Sequence, residues 1–482
     1  MAERLVLINT NLMQPPIAPI GLDYMATAVR RAGIETEIAD LCLAADPKKI
    51  LEQVFAHGSP HLVGLSFRNL DDSFWPSAQS FMPDLIDIHK TLRQLTDAPI
   101  AIGGVGFSMF PEQTLEATGA DFGIRGDGEE AIIALMREIE GSQRFDRVPG
   151  LIFRHNRKIE SNPPTWPGNM NIPTTRDAID NAAYFKRGGQ IGLETKRGCH
   201  RKCIYCADPL AKGHRVRCRD PIEVADEFES LLKQEIDVFH TCDCEFNIDY
   251  DHALAVCHEL INRKLGSRIR WYAYLAVTPF DTALAGAMAK AGCVGINFTG
   301  DAGSAGMLRR YAQSHGPEDL ARSVGLCRQH KITVMVDLLL GGPGETPETL
   351  AETIGFIKMI DPDCAGAALG VRLYPNTEMA HLVYAEGPPE SNTAIRRKYR
   401  GPIDLFKPTF YISRSLGDQP ARLVRELIGG DPRFFEPILE SDGPADRESG
   451  DHNYNHHTAL VQAIADGARG AYWDILRRLP KG

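Results

Sequence analysis

The chain has 482 residues, of which 43% are hydrophobic and 24% charged, the composition of an ordinary soluble protein of roughly two to four domains. Its formal net charge is −10 and no basic stripe alternates with aromatic residues, so we expect no nucleic-acid partner. No leader peptide follows Met1 and no apolar run approaches the ~20 residues of a membrane span, which predicts a cytoplasmic protein without a membrane partner. The eleven cysteines are expected to be reduced thiols, as in other long chains without a secretory leader.

Short apolar runs alternate with amphipathic helical patterns between Arg4 and about Glu140. This alternation predicts βαβ units and an α/β domain with a doubly wound parallel sheet. Ligands of such sheets bind beyond the carboxyl ends of the strands. The candidate binding residues at those ends are Asn9, Thr10, Arg68, Asn69, Gly103, Gly104, Val105, Gly106, Gly126, Gly128 and Glu129. A dinucleotide is not the expected ligand, because no G-x-G-x-x-G comes after the first strand.

Residues 141–189 are predicted to be a linker. The runs 148–153 and 158–160 suggest a small hairpin, and the proline-rich stretch 162–168 cannot hold a helix. We therefore predict a first domain over residues 1–140, with this linker after it.

Strand–helix alternation resumes at Gln190 and continues to about residue 385, with six strand-like runs. Six such units predict a partial (β/α)6 barrel, in which cofactor groups gather at the carboxyl ends of the strands. The candidate residues at those ends are Glu245, with Asp243 as its alternative, then Asn297, Asp301, Gly342, Gly344 and Arg372.

Three cysteines come after the first barrel strand at the spacing C-x3-C-x2-C: Cys199, Cys203 and Cys206. Cysteine thiolates are the usual ligands of iron–sulfur clusters, and three of them on a [4Fe–4S] cube leave one iron open to another ligand. The alternatives are a zinc knuckle or a chance group, but no fourth Cys or His is present at zinc-site spacing. Cys242 and Cys244, after the second strand, are either a fourth ligand or, as we favour, buried small side chains.

The cysteine loop, with Lys196-Arg197-Gly198 before it and Tyr205 inside it, resembles the cluster loop of the radical S-adenosylmethionine (SAM) superfamily. The later stretch 340–346 resembles the G-x-P-G-E-T turn of that superfamily. The first domain resembles the cobalamin-binding domain that precedes many radical SAM cores, and the resemblance rests on residues 19–22, 102–104 and 126–130. Over roughly the first 385 residues the chain therefore resembles the cobalamin-dependent radical SAM family, most of whose known members are methyltransferases.

The resemblance implies a flavodoxin-like first domain and three cofactors: a [4Fe–4S] cluster, SAM and cobalamin. It implies transfer of a methyl group from SAM, through cobalamin, to a carbon or phosphinate centre of a small-molecule or peptide precursor. An external electron donor of the flavodoxin or ferredoxin type is also implied. The alternatives are a rearrangement, cyclisation or ring contraction without methylation, non-radical methylation as in tryptophan 2-C-methyltransferases, and a cobalamin-binding sensor with a structural cluster.

The same resemblance implies several residue roles. Glu245 would face the amino group of SAM, and Asn297 and Asp301 would face its ribose or carboxylate. The glycines of the later turn, Gly342 and Gly344, would admit the adenosine of SAM, and the strand of Arg372 would meet the adenine. Tyr205 would belong to the cluster loop. No D-x-H-x-x-G is present, so no histidine of the chain is expected on cobalt. Arg68 is the candidate for covering the lower face of the cobalt, and the alternative is a surface arginine paired with Asp71 or Asp72.

Residues 386–482 lose the strand–helix rhythm and are predicted to form a mainly helical cap over the open side of the barrel. Because such a cap would border the substrate pocket, Tyr411, Tyr454 and His456 are candidate substrate contacts, the latter two as catalytic residues. A second metal site at His452, His456 and His457 is a weaker alternative, since histidines in a polar loop are usually solvated.

Overall fold

The computed structural model describes residues 3–56, 58–168, 170, 172, 174–439 and 453–479. Its first sheet has the strand order β2-β1-β3-β4-β5-β6-β7, and the first five strands are parallel. The parallel part has the flavodoxin-like order 2-1-3-4-5, which confirms the predicted doubly wound domain. The strands are β1 (Arg4–Asn9), β2 (Glu35–Asp40), β3 (Leu62–Ser66), β4 (Ile100–Gly103), β5 (Phe122–Ile124), β6 (Leu151–His155) and β7 (Lys158–Ser161).

Helices cover both faces of this sheet, and each face has its own apolar core. They are α1 (Ile20–Arg31), α2 (Pro47–Ala56), α3 (Met82–Leu95), α4 (Val105–Met109), α5 (Pro111–Thr118) and α6 (Glu129–Glu140). The next helix, α7 (Asn181–Gly188), packs instead on the second sheet and on the C-terminal segment. The hairpin predicted within the linker adds two strands to this sheet, because β6 pairs antiparallel with β5. The apolar residues of β6 are buried in both cores, so the sheet extends past residue 140 to Ser161.

The second sheet is the curved wall of a partial barrel, with the strand order β8-β11-β12-β13-β14-β15-β19 and parallel pairing throughout. Two small sheets, β9-β10 and β16-β18-β17, lie outside it. The strands are β8 (Ile191–Leu193), β9 (Lys196–Arg197), β10 (Arg217–Cys218), β11 (Val238–Thr241), β12 (Arg270–Leu275), β13 (Cys293–Asp301), β14 (Thr333–Leu340), β15 (Cys364–Leu369), β16 (Val371–Arg372), β17 (Ile395–Arg397), β18 (Thr409–Tyr411) and β19 (Phe434–Phe435).

Helices pack on the outer face of the barrel, where alternate strand residues such as Ile296, Phe298 and Val336 join one large apolar core. These helices and the later ones are α8 (Asp208–Lys212), α9 (Pro221–Leu232), α10 (Tyr250–Asn262), α11 (Thr282–Lys290), α12 (Ala305–Arg310), α13 (Pro317–His330), α14 (Pro347–Ile360), α15 (Glu378–Ala385), α16 (Pro420–Ile428), α17 (Thr458–Ala465) and α18 (Tyr472–Arg477). None of the helices in the described residues is long and apolar enough to cross a bilayer.

The C-terminal segment is more than the helical cap predicted from sequence. Strand β19 adds a seventh strand to the barrel beside β15, and α17 and α18 pack against its inner face. Trp473 of α18 lies edge-on to Tyr272 of β12, with ring centroids 5.8 Å apart. The N-terminal end of the barrel is therefore filled by side chains from the end of the chain, while the carboxyl ends of the strands face the first domain.

Candidate functional site

The three predicted cluster cysteines share one loop, and hydrogen bonds to the barrel hold that loop in place. The Cys199 amide donates to the Gly213 carbonyl at 3.2 Å, and the Ile204 amide donates to the Tyr311 carbonyl at 3.2 Å. All three thiols are free. Burial raises the pKa of each, and that of Cys203 to about 11. Bound iron would displace these protons, so a loop of three free thiols fits the open-iron cluster predicted from sequence.

The cluster loop is also tied to the carboxyl end of β13. The Tyr205 hydroxyl donates to Asp301 Oδ2 at 2.6 Å, and Gln313 bonds both Asp301 and the Cys203 sulfur, the latter at 3.3 Å. Burial raises the pKa of Asp301 to about 7. Two of the predicted cofactor residues, Tyr205 and Asp301, therefore meet beside the cluster.

Glu245 lies at the barrel mouth near this pair, and its Oε1 accepts from the hydroxyl of Thr299, two residues before Asp301 in β13, at 2.9 Å. Its Oε2 has no hydrogen-bond partner among the described residues, and burial raises the pKa of the carboxyl to about 8. A buried carboxylate with an unused acceptor favours a cationic donor as ligand, because an ammonium group would satisfy the oxygen and restore its charge. The amino group of SAM has these properties.

The later glycine turn comes directly after β14. A side chain at Gly342 would clash with the Tyr311 hydroxyl, which itself donates to the Leu339 carbonyl at 2.8 Å, and Gly344 has a left-handed backbone with φ +81°. The turn must therefore be glycine at both positions. The side chain of Arg372 is committed elsewhere, since its Nη2 lies 2.8 Å from Asp71 Oδ2 in a buried ion pair between the two domains.

Cys242 and Cys244 lie after β11, close to the cluster loop. Cys244 donates to Asp208, and burial raises the pKa of both thiols. Among the described residues, no three His, Cys, Asp or Glu side chains converge at single-metal spacing.

The carboxyl edge of the first sheet presents the predicted glycine loops to the barrel. Gly104 has φ +104°, and a side chain there would lie 2.5 Å from the Phe67 carbonyl, so only glycine lets the loop after β4 approach the loop after β3. The Gly106 amide then donates to the Arg68 carbonyl at 2.9 Å. The two loops are thus joined directly at the backbone of Arg68.

A pocket with about 930 Å³ of empty volume opens beneath these loops, between β1, β3, β4 and β5. Its lining is mostly apolar and includes many of the predicted residues: Gly103, Gly104, Val105, Gly126, Gly128 and Glu129. The nucleotide tail of cobalamin is a bulky, partly apolar group, and the glycine-lined, mostly apolar character of this cleft suits such a group. Glu129 Oε1 also lies 2.8 Å from Nη2 of Arg197 in the barrel segment, and this ion pair lowers the pKa of the Glu129 carboxyl.

Arg68 does not pair with Asp71 or Asp72, so the surface-arginine alternative is wrong. Asp71 binds Arg372, and Asp72 accepts from Ser77 and from backbone amides. Burial lowers the pKa of Arg68, and the groups that interact with its charge are the thiols and phenols of Cys42, Cys242, Tyr274 and Tyr472. The guanidinium therefore points into the space between the two domains.

A second, smaller pocket gathers three predicted residues from the first sheet, Thr10, Arg68 and Asn69, together with His456 of the C-terminal segment. Asn9 lies outside it, because its side-chain amide donates to Asp40 at 3.0 Å and to Tyr184 at 2.9 Å.

The other C-terminal candidates are placed differently. The Tyr411 hydroxyl donates to Glu386 at 2.7 Å. Tyr411 is the last residue of β18 and packs in an apolar core, so its side chain lines neither of the two pockets described above. Tyr454 packs edge-on against Tyr472, with ring centroids 5.6 Å apart. Tyr472 in turn interacts with the charge of Arg68, so Tyr454 is separated from Arg68 by the Tyr472 ring. His457 caps α17, and His452 lies outside the described residues.

Sequence reasoning missed a group of polar residues inside the barrel. His240, Tyr274, Asn297 and Asp337 come from four neighbouring strands and point inward. Asn297 alone among these four was predicted, as a contact to SAM, and its Nδ2 donates to Asp337 Oδ2 at 2.8 Å. The signal that could have found the others is a polar residue at an inward position of an otherwise apolar barrel strand.

The comparison with known proteins agrees with this geometry. Residues 8–136 match the B12 binding domain, and residues 193–357 match the Radical SAM superfamily. Tryptophan 2-C-methyltransferase from Streptomyces laurentii is 30% identical over 517 aligned residues, which cover 92% of this chain and 85% of that protein. The chain belongs to the cobalamin-dependent radical SAM methyltransferase family.

Two solved structures of a family member support the assignment. The radical SAM methyltransferase TsrM from Kitasatospora setae, with tryptophan substrate and the SAM analogue aza-SAM bound, has a TM-score of 0.90 at 30% identity and covers 99% of this chain and 97% of that one. Its structure with cobalamin and a [4Fe–4S] cluster has a TM-score of 0.88 at 28% identity, with the same coverage. Family membership confirms the predicted enzyme class and the predicted cofactors: a [4Fe–4S] cluster, SAM and cobalamin.

Proposed function

We propose that this methyltransferase moves the methyl group of SAM, by way of cobalamin, to a carbon of a small aromatic molecule, and that tryptophan or a related indole is that molecule. The observation that carries the proposal is the end-to-end correspondence with tryptophan-bound TsrM, over 99% of this chain. That length includes the barrel, both cofactor-facing edges and the C-terminal segment that fills the barrel.

The bound groups supply the methyl chemistry: an electrophilic methyl on SAM and a metal that can hold it for a second transfer. The residues of the chain bind and orient them. Cys199, Cys203 and Cys206 hold three irons, Glu245 receives the amino group of SAM, and Arg68 covers one face of the corrin. Cys199 is buried and the other four residues are half-buried, which limits the access of water to the reacting groups.

Anaerobic reconstitution with methyl-labelled SAM, cobalamin, dithionite and tryptophan tests the proposal. We expect label in a methylated indole, and none with the variant that lacks the three cluster cysteines. Analysis of 5′-deoxyadenosine in the same reaction distinguishes the alternatives. Product without 5′-deoxyadenosine supports a non-radical route, and both together support a substrate radical. 5′-Deoxyadenosine without methylation supports a rearrangement or cyclisation and contradicts the proposal.

We also propose that a flavodoxin or ferredoxin of the cytoplasm supplies the electrons. Lys202 in the cluster loop and Arg309 and Arg310 at the end of α12 are exposed, and none of the three makes an ion pair with any described residue. Unpaired cations around a redox loop, in a chain of net charge −10, favour an acidic partner. Reversing the charge of Arg309 and Arg310 should slow reduction by flavodoxin and leave reduction by dithionite unchanged.

A further inference from the structure

The inner face of the barrel changes character along its axis. Near the N-terminal ends of the strands it is apolar, where Tyr272, Met335 and Cys364 pack against Trp473. Further along β11, β12, β13 and β14 the next inward side chain is polar. These four residues are defined here as the inner polar layer: His240, Tyr274, Asn297 and Asp337. Polar groups inside a barrel are costly unless they are bonded or receive a ligand.

Asn297 leaves one hydrogen-bond acceptor unused in this layer. Its Nδ2 donates to Asp337 Oδ2 at 2.8 Å, which fixes the orientation of the amide, because a carboxylate accepts only from the NH2 end. Asn297 is 1% exposed, and its Oδ1 has no hydrogen-bond partner in the part of the chain that the structure describes. A buried carbonyl oxygen of this kind favours a ligand that brings an N–H or O–H donor.

The aromatic members of the layer suit a flat ligand. The rings of His240 and Tyr274 lie 5.0 Å apart, and burial lowers the pKa of His240 to about 4, so the imidazole is neutral. Gly366 of β15 is the Cα partner of Asp337 and contributes no side chain beside the carboxylate. Tyr274 interacts with the charge of Arg68, so the layer faces the cobalamin domain.

We propose that the inner polar layer is the acceptor site, which binds a planar ring through its N–H: Asn297 Oδ1 accepts that N–H, His240 and Tyr274 contact the ring, and Asp337 is the base. This inference rests on the proposed function and specifies its substrate class as an aromatic ring with an N–H donor. It assigns Asn297 to the acceptor rather than to SAM.

The proton balance of the transfer requires such a base. When the methyl group reaches the acceptor carbon as a methyl cation equivalent, the bonding electron pair stays on cobalt and a new C–C bond forms. The acceptor must then lose one proton to recover its aromatic ring. The Asp337 carboxylate takes that proton and becomes a neutral carboxylic acid, which later releases it to solvent.

Burial raises the pKa of Asp337 to about 6, so the carboxylate form predominates only above that pH. The titratable groups that face it are Tyr274 on β12, Asp301 at the end of β13 and Cys364 on β15. With Asp337 as the base, kcat/KM should rise with pH through about 6.

The test uses cofactor-loaded enzyme, with tryptophan and 1-methyltryptophan as probes. Equilibrium dialysis measures binding, and we expect 1-methyltryptophan, which lacks the ring N–H, to bind about tenfold more weakly to the parent. Asn297→Ala should weaken tryptophan binding by a similar factor and abolish this preference. Asp337→Asn should lower kcat by about 10²-fold or more and remove the acidic limb of the pH profile. Asp361→Asn, at the opposite end of the barrel, is the matched control.

A second readout separates these effects from misfolding. Iron content, cobalamin content and the urea midpoint of unfolding should equal those of the parent in both inner-layer variants. Equal binding of the two probes to the parent, or an unchanged pH profile in Asp337→Asn, would overturn the inference. No tryptophan binding to the parent also overturns it, whereas binding without methylation overturns the proposed function alone.

Discussion

Arg176 lies between Asp23 and Glu227, to which its Nε and Nη1 donate at 2.6 and 2.7 Å. The three side chains are fully buried and come from the segment before α7, from α1 and from α9. Arg176 therefore joins the cobalamin domain to the SAM barrel, in addition to the ion pairs Arg372–Asp71 and Arg197–Glu129.

Replacing this arginine should destabilise the whole enzyme. Arg176→Ala leaves Asp23 buried without its cation and leaves Glu227 with Arg219 alone, so we expect the free energy of unfolding to fall by about 3–5 kcal/mol in urea titrations. Arg144→Ala is the control, because its ion pair with Asp146 is exposed, and its stability should match that of the parent. Equal stability of the two variants would show that Arg176 does not hold the domains together.

The cluster prediction depends on three thiols in one loop. The triple variant Cys199→Ala, Cys203→Ala, Cys206→Ala should lose the iron–sulfur absorption near ~400 nm, because thiolate ligation produces it. Cys244→Ala should keep the absorption and the iron content, since Cys244 bonds Asp208 and is not expected to be a ligand. Four irons per chain in the triple variant would refute the assignment.

Arg68 should control the lower face of cobalt. A guanidinium has no lone pair to give to a metal, so it can only exclude a ligand and favour the electron-rich cobalt state through its charge. Arg68→Ala should bind cobalamin, show a water-ligated spectrum and methylate the cofactor slowly, with Arg68→Lys intermediate. In the parent enzyme prepared with isotopically labelled histidine, the spectrum of the cob(II)alamin state should show no coupling between cobalt and a histidine nitrogen. Parent-like spectra and methylation rates in both variants would remove Arg68 from the site.

The carboxyl of Glu345 should make the cofactor-free enzyme less stable as pH rises. Burial raises its pKa to about 7, so the folded chain keeps a proton that the unfolded chain releases above about 4.5. Stability therefore falls between these two pH values, by up to about 3 kcal/mol. Glu345→Gln keeps an acceptor for the Gly341 amide and should flatten this decline in urea titrations from pH 5 to 7. A parent-like slope in the variant would contradict this origin.

The most accurate predictions from sequence rest on periodicity and spacing. Most strands of both sheets are apolar runs, and residues that follow them, such as Thr10, Arg68 and Glu245, lie at the carboxyl edges because parallel strands all end on one side. The cluster loop was predicted from the C-x3-C-x2-C spacing of its cysteines, which places three thiols on one short loop.

The rest depends on contacts between residues far apart in the chain. Asp337 and Tyr274 lie within strands rather than after them, and their role is visible only when neighbouring strands place them against Asn297. Strand β19 has two residues, too few for a periodic pattern, and is a strand only because β15 offers it a free edge. The partner of Arg372 is 301 residues away, beyond any local rule.

The packing of Trp473 against Tyr272 also sets an order on biosynthesis. During translation α18 emerges about 200 residues after β12, so the inner apolar face of the barrel has no cover until α18 has been made. The strands of the first sheet end at Ser161, and that sheet can form long before α18 is made. The cobalamin domain can therefore fold while the floor of the barrel interior is still missing.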